Sequence, residues 1–379
     1  MEKRHVKNSP EVKSEDDHSE KLIKFKLEKS KQDDFSYDLP KNFLKNEMSA
    51  LDYLKKLNHG KIEAHYQKEY NLFNDLNKKK SESLDSKGFK ILSSQIPDFK
   101  KYTNSEIVEK LYRSIIYKND HFIALNKPYG IILQGANQGK NISKDFRLYL
   151  SNYLPELASL VGTDKLYTVH RLDRDTTGIL LLAKNQESSA KLHDLFLQRK
   201  IQKLYLAITK NVPDISEGII DIPIETGWVM FKNQKRERAA LCPEIVQDIR
   251  DKRRPSRAAK RAITQYKVLE VNGNAALLEI KPETGVKHQI RVHLGFGLRC
   301  PILGDHKYSK LDSVAPQKLP SDILGRLRIR QEKARNVPMH LHAYELLIPS
   351  FDSFTNIFIR APLPYHFKKN ASSLGLRMD

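Results

Sequence analysis

Between residues 115 and 300 the apolar positions fall in short runs bounded by Gly, Pro, Asn and Asp, which is the punctuation of strands rather than of long helices. Strands are predicted at Ser114–Tyr117, Phe122–Leu125, Gly178–Lys184, Leu204–Ile208, Gly218–Ile222, Thr264–Leu269, Ala276–Ile280 and Ile290–Leu294. One helix interrupts the series: Ser188–Lys200 sets Leu192, Leu195 and Phe196 on one face, and Asn185 is placed to cap it. Ile179–Ala183 has the length and bounding residues of a core strand, with Gly178 letting the backbone turn into it. The polar stretch before it, His170–Thr177, must then be a loop carried by a rigid strand, a common place for a functional group. Upstream, Leu51, Leu54 and Leu57, then Tyr66, Tyr70 and Phe73, recur at helical spacing and predict one or two amphipathic helices with a docking face.

Composition divides the chain. Residues 1–40 are mostly Lys, Glu, Asp and Ser with scattered apolar positions, a signature of disorder. We therefore expect a charged N-terminal extension over residues 1–100 and a strand-dominated α+β domain over 101–370. Within that domain Lys232–Arg261 holds Lys235, Arg236, Arg238, Arg250, Lys252, Arg253, Arg254, Arg257 and Lys260, broken by Pro243 and Pro255. It reads as a basic insertion at about residues 231–262, solvated and mobile. With 66 Lys plus Arg against 46 Asp plus Glu the net charge is +20, so phosphate backbones are the natural counter-surface. No apolar run approaches the roughly 18 residues of a spanning helix, and no membrane association is expected. Cys242 and Cys300 provide neither a disulfide framework nor a four-cysteine zinc site, and each is expected as a small buried side chain.

Five ordered blocks lie between about residues 110 and 365. They are Leu125-Asn126-Lys127-Pro128-Tyr129-Gly130, the run from His170-Arg171-Leu172-Asp173 to Thr177-Gly178, Lys203-Leu204-Tyr205-Leu206-Ala207, Thr284–His293 with Pro301–Asp305, and Leu341-His342-Ala343. In this order they resemble the RluA family of RNA pseudouridine synthases. Val286 stands where most of that family has arginine, and this departure, with Gly304–Ser309, Ala315–Lys318 and Lys333–Arg335, is similar to a mitochondrial branch found in animals. The resemblance implies a pseudouridine synthase catalytic fold with a mostly antiparallel central sheet and a cleft along it. It also implies an isomerase acting on mitochondrial rRNA, tRNA or mRNA.

That reaction breaks the bond from uracil N1 to C1′ and rejoins the base through C5, so it needs no cofactor and no metal. One ionised carboxylate can attack C1′ or remove the C2′ proton. The residues alone leave Asp173 and Asp175 both available; the resemblance implies Asp173, with Asp175 a turn or ion-pair residue. It further implies Arg291 as the cation that keeps the carboxylate charged, its planar guanidinium able to grip both oxygens, and Tyr205 as a ring that stacks on the extruded uracil. Arg171 is the candidate to fill the gap left by the flipped base, and His170 to orient the loop through hydrogen bonds. Lys127, Lys184 and Lys203 are candidate phosphate contacts or ordinary strand-end lysines, and Arg253, Arg254 and Arg257 supply affinity without base specificity.

His288, His293, His306, His340 and His342 match no helical pair of metal ligands, so no metal site is predicted. The rival reading is an RNA-binding or ribosome-assembly factor that catalyses nothing. It gives no reason for a carboxylate inside a basic cleft at a motif position. Structured RNA containing the target uridine is the expected partner, with mitochondrial ribosome-assembly factors beside it, and a monomer is expected. The acidic residues Glu2, Glu11, Glu15, Asp16 and Asp17 match a mitochondrial transit peptide poorly, which leaves nuclear or cytoplasmic pools open.

Overall fold

The computed structural model describes residues 83–133, 148–231, 234–242, 258–349, 351 and 356–378. The predicted helices of residues 41–80 and most of the basic insertion, Arg253, Arg254 and Arg257 included, lie outside them.

Along the chain, helix α1 (Asn104–Arg113) is followed by strands β1 (Ile115–Lys118) and β2 (Phe122–Lys127), helix α2 (Leu154–Val161), β3 (Tyr167–Thr168), β4 (Thr177–Ala183) and helix α3 (Gln186–Leu197). Then come β5 (Gln202–Lys210), β6 (Glu217–Asp221), β7 (Ile224–Phe231), β8 (Gln234–Leu241), β9 (Ile263–Asn272) and β10 (Ala275–Pro282). The C-terminal part holds α4 (Gln289–Val292), α5 (Ser321–Leu327), β11 (Leu341–Ile348), β12 (Ile357–Arg360) and α6 (Tyr365–Leu374). Helix α1 was not anticipated, although its capping box was readable: Thr103 Oγ1 accepts the Glu106 N–H, and Glu106 Oε2 accepts the Thr103 N–H at 2.7 Å. The Asn185 cap on α3 forms as expected, its side chain accepting the Ser188 N–H at 2.8 Å.

Ten strands make one sheet in the order β1-β2-β4-β11-β5-β10-β9-β6, with β12 on β11 and β3 on β4. Every pairing is antiparallel except β11 with β4. Both faces are covered, and this is why the central strands are apolar at consecutive positions. On β4, Leu180 and Leu182 pack with α1 and α2, whereas Ile179, Leu181 and Ala183 pack with α3 and β12. On β10, Ala275 and Leu277 meet the C-terminal helices, and Ala276, Leu278 and Ile280 meet Ile290 and Leu294. The packed body extends past residues 101–370 at both ends, since Leu92, Phe99, Leu374 and Leu376 are all buried in it.

Two predicted elements take another form. Ile290–Leu294 is helix α4 running into a π-helical turn, His293–Gly297, rather than a strand. Its β-branched residues read as extended, but the buried Gln289 amide overrides that preference by pinning the turn before the helix. Gln289 Oε1 accepts from Thr284 Oγ1 and the Val286 N–H, while Nε2 donates to the Ile263 carbonyl and Thr264 Oγ1. The first part of the basic insertion is not a mobile loop either, because β8 pairs with β7 in a separate two-stranded ribbon. Arg238, counted there among solvated cations, is buried and donates to the carbonyls of Lys307, Lys310 and Leu311. Its ribbon is thereby tied to the segment that follows Asp305.

Candidate active site

The parallel contact of β4 with β11 is short, covering only His342 with Thr177 and Ala343 with Gly178. Beyond it the two strands part, and β3 joins β4 only at Leu182 and Ala183. In the interval, His170 Nε2 accepts the Leu181 N–H at 2.9 Å and its ring packs on Phe196 of α3. Burial, aided by the charge of Lys203, pushes this imidazole down to about 3, so it is neutral and able to accept. His170 thus fastens the loop 169–176 to the strand it feeds.

Lys127 fastens the other side. Its side chain is buried, and its ammonium donates to the carbonyls of Pro128 and Ile131 at 3.0 Å and of Arg174 at 2.9 Å. This corrects the phosphate-contact expectation for Lys127: the amine ties the turn after β2 to the Arg174 carbonyl of the loop rather than facing solvent. Burial lowers its pKa to about 7, against the pull of Asp175 and Asp173.

Between these anchors Asp173 reaches into the cleft, with its side chain 16% exposed. Oδ2 accepts from Arg291 Nη1 at 2.8 Å, and Oδ1 faces His288 Nε2 at 3.6 Å. Burial pushes the carboxyl up, yet the charge of Arg291, the neighbouring His288 ring, the Arg291 hydrogen bond and the charge of Arg171 outweigh it, so Asp173 titrates below its ordinary value and is ionised at neutral pH. Arg291 reaches it from within α4, and His288 from the left-handed residue that caps the start of that helix.

The grip of Arg291 differs from expectation. Nε and Nη2 fork onto Asp305 at 2.6 and 2.9 Å, and Nη1 makes one hydrogen bond to Asp173. The Asp305 side chain is only 1% exposed, so it requires the fuller compensation, and it also accepts the N–H groups of Lys307 and Tyr308. Asp305 sits in the tail of the fourth sequence block, where a Gly-Asp pair cannot be told from an ordinary turn. The sequence carried no signal for its role.

Sheet register brings Tyr205 to the same place. Gly178, Ala343 and Tyr205 lie side by side across β4, β11 and β5, and the Tyr205 ring bridges two core clusters. Burial and the charge of Asp173 push its phenol above the usual range, so it is a protonated ring suited to stacking and a poor base. Arg171 is exposed on the loop, and Asp175 pairs with Arg174 at 2.9 Å. Lys203 is partly buried, Nζ lying 3.5 Å from the Thr284 carbonyl, and burial with the charge of Arg199 lowers it to about 8. His293, His340 and His342 are buried on hydrogen bonds to Thr264, Leu303 and Thr177, and the described residues contain no cluster suited to a metal ion.

Residues 121–295 match the family model described as RNA pseudouridylate synthase, a span that includes Asp173, Tyr205 and Arg291. Mouse pseudouridylate synthase RPUSD4, mitochondrial, is 40% identical over 278 residues, 72% of each chain. The ribosomal large subunit pseudouridine synthase C of Rickettsia typhi is 35% identical over 257 residues, covering 67% of this chain and 69% of that one. The solved structure of human RNA pseudouridylate synthase domain containing 4 superposes with a TM-score of 0.63 at 38% identity, covering 73% of this chain and 98% of that one. With relatives this similar over most of their length, the chain belongs to the RNA pseudouridylate synthase family and is an isomerase of uridine in RNA.

Proposed function

We propose that Asp173 is the carboxylate on which isomerisation turns, and that the substrates are structured mitochondrial RNAs: rRNA, tRNA or mRNA. The observation that carries the first part is an ionised, mostly buried carboxylate held by Arg291 at the mouth of β4. Asp173 attacks C1′ or takes the C2′ proton, Arg291 keeps it charged, and Tyr205 stacks on the uracil while the base turns. Arg171, exposed on the same loop, fills the space the flipped base leaves, and His170 acts through the loop rather than on the substrate. Lys203, with Arg253, Arg254 and Arg257, contacts phosphates. The name of the mouse relative supports a mitochondrial location, and that of the Rickettsia relative supports rRNA among the substrates.

Asp173→Asn tests the chemical part. Pseudouridine formation should vanish while RNA affinity stays within roughly a few-fold, because a carboxylate adds nothing to phosphate binding. Activity near the parent level would overturn the assignment. Chemical mapping of pseudouridines in mitochondrial RNA from cells with and without the protein identifies the target.

A further inference from the structure

Among the described residues, three buried histidines are fully committed to the core. His293, His340 and His342 each spend both ring nitrogens on fixed partners within the core. His288 spends only one that way. It takes a left-handed backbone (φ 59°) at the start of α4, sets Nδ1 2.5 Å from the Tyr308 hydroxyl, and turns Nε2 toward Asp173 Oδ1.

Tyr308 decides where the protons go. The Tyr308 hydroxyl, a donor as well as an acceptor, can give its proton to His288 Nδ1. A neutral imidazole that accepts at Nδ1 carries its hydrogen on Nε2, here aimed at the carboxylate. The opposite tautomer would set a lone pair against a negative oxygen. Burial is the main influence that holds the ring down to about 4, against the pull of Asp173, so it faces Asp173 as a neutral donor and does not compete with Arg291 as a second cation. Arg291 already occupies Oδ2, which makes Oδ1 the oxygen available to the sugar.

We propose that His288 is a positioning residue for the isomerisation: Tyr308 sets its tautomer, and its Nε2–H orients Asp173 Oδ1. The 3.6 Å separation closes to hydrogen-bond distance when RNA seats, since such contacts are often long without substrate. The β7–β8 ribbon supports this arrangement through Arg238, whose guanidinium lies over the Phe296 and Tyr308 rings. The inference rests on the assignment of Asp173 above. Besides His288, the groups that face Asp173 or feel its charge are Arg291, Arg171 from its own loop, Lys127 from β2, Tyr205 from β5, and Lys307 and Tyr308 after Asp305.

The test is the pH dependence of single-turnover tritium release from structured transcripts made with 5-tritiated uridine, alongside RNA affinity and melting temperature. His288→Leu should slow turnover by about 10- to 100-fold, the effect of losing a hydrogen bond to a charged group, with RNA affinity unchanged within about 3-fold. Its acid limb should move to higher pH, because Asp173 loses a donor to its charged form. His288→Gln keeps an N–H and should recover most of the rate and the original limb. Tyr308→Phe should slow the reaction less than His288→Leu. The inference falls if His288→Leu stays within about 2-fold of the parent with its limb unmoved, or if folded His288→Gln is as slow as His288→Leu. Asp173→Asn is the control: if it is inactive while His288→Leu is normal, only the role of His288 is lost, and if it is active, the assignment of Asp173 fails and takes this inference with it.

Discussion

Gly178 lies directly against Ala343: a Cβ built on Gly178 would sit 2.1 Å from the Ala343 carbonyl oxygen, and the glycine holds φ at +105°. This close approach joins β4 to β11 at the end of the loop that carries Asp173, so the strands cannot meet here with any larger residue. Gly178→Ala should destabilise the fold by roughly 2–4 kcal/mol, combining backbone strain with overpacking. Urea titration checks this, and a change below about 1 kcal/mol would mean that β11 can withdraw without cost.

Asp305→Asn should separate support from chemistry. The buried fork on Arg291 loses its charge, costing about 3–5 kcal/mol of stability, and turnover falls because Arg291 no longer holds its angle to Asp173. Asp173→Asn, by contrast, should leave the melting temperature nearly unchanged. Equal stability of the two variants would contradict this division.

Acid should weaken the fold early. His170 is pushed down to about 3, and His288, His293, His340 and His342 to about 4, burial being the main cause in each. Unfolded histidine titrates near about 6.5, so below that pH the unfolded chain binds more protons than the folded one. The stabilising contribution is complete above about 6.5 and drains as pH falls toward about 4. Melting temperature against pH should therefore drop across that window, and a flat profile would show that these rings charge in place.

The two kinds of basic residue should behave differently. Arg253, Arg254 and Arg257 replaced together by Ala should weaken binding to all RNAs and flatten the salt dependence by up to about three counterions, leaving the saturated single-turnover rate unchanged. Arg238→Ala should leave the salt slope alone and lower the melting temperature, since its donors serve backbone carbonyls. Filter binding across a salt series distinguishes them, and a slope change with Arg238→Ala would return it to the RNA surface.

Apolar periodicity located β1, β2, β4, β5, β6, β9, β10 and α3, because strands buried on both faces leave nearly continuous apolar runs, while the five motif blocks marked the place of β11 and pointed to Asp173, Tyr205 and Arg291. What the chain could not show locally came from contacts distant in sequence. Thr284 and Gln289 lock onto β9 and make α4 a helix, although Ile290 and Val292 favour a strand. Arg291 forks onto Asp305 because that buried carboxylate, unlike Asp173 at the cleft, has little water to stabilise it. Lys127 and Arg238 look like surface cations in sequence, and only folding reveals that each is buried against backbone carbonyls, one of Lys127's three and all of Arg238's coming from distant segments. Periodicity records which side of a strand is wet, whereas the partner of a buried charge is chosen by whatever the completed sheet brings within hydrogen-bond reach.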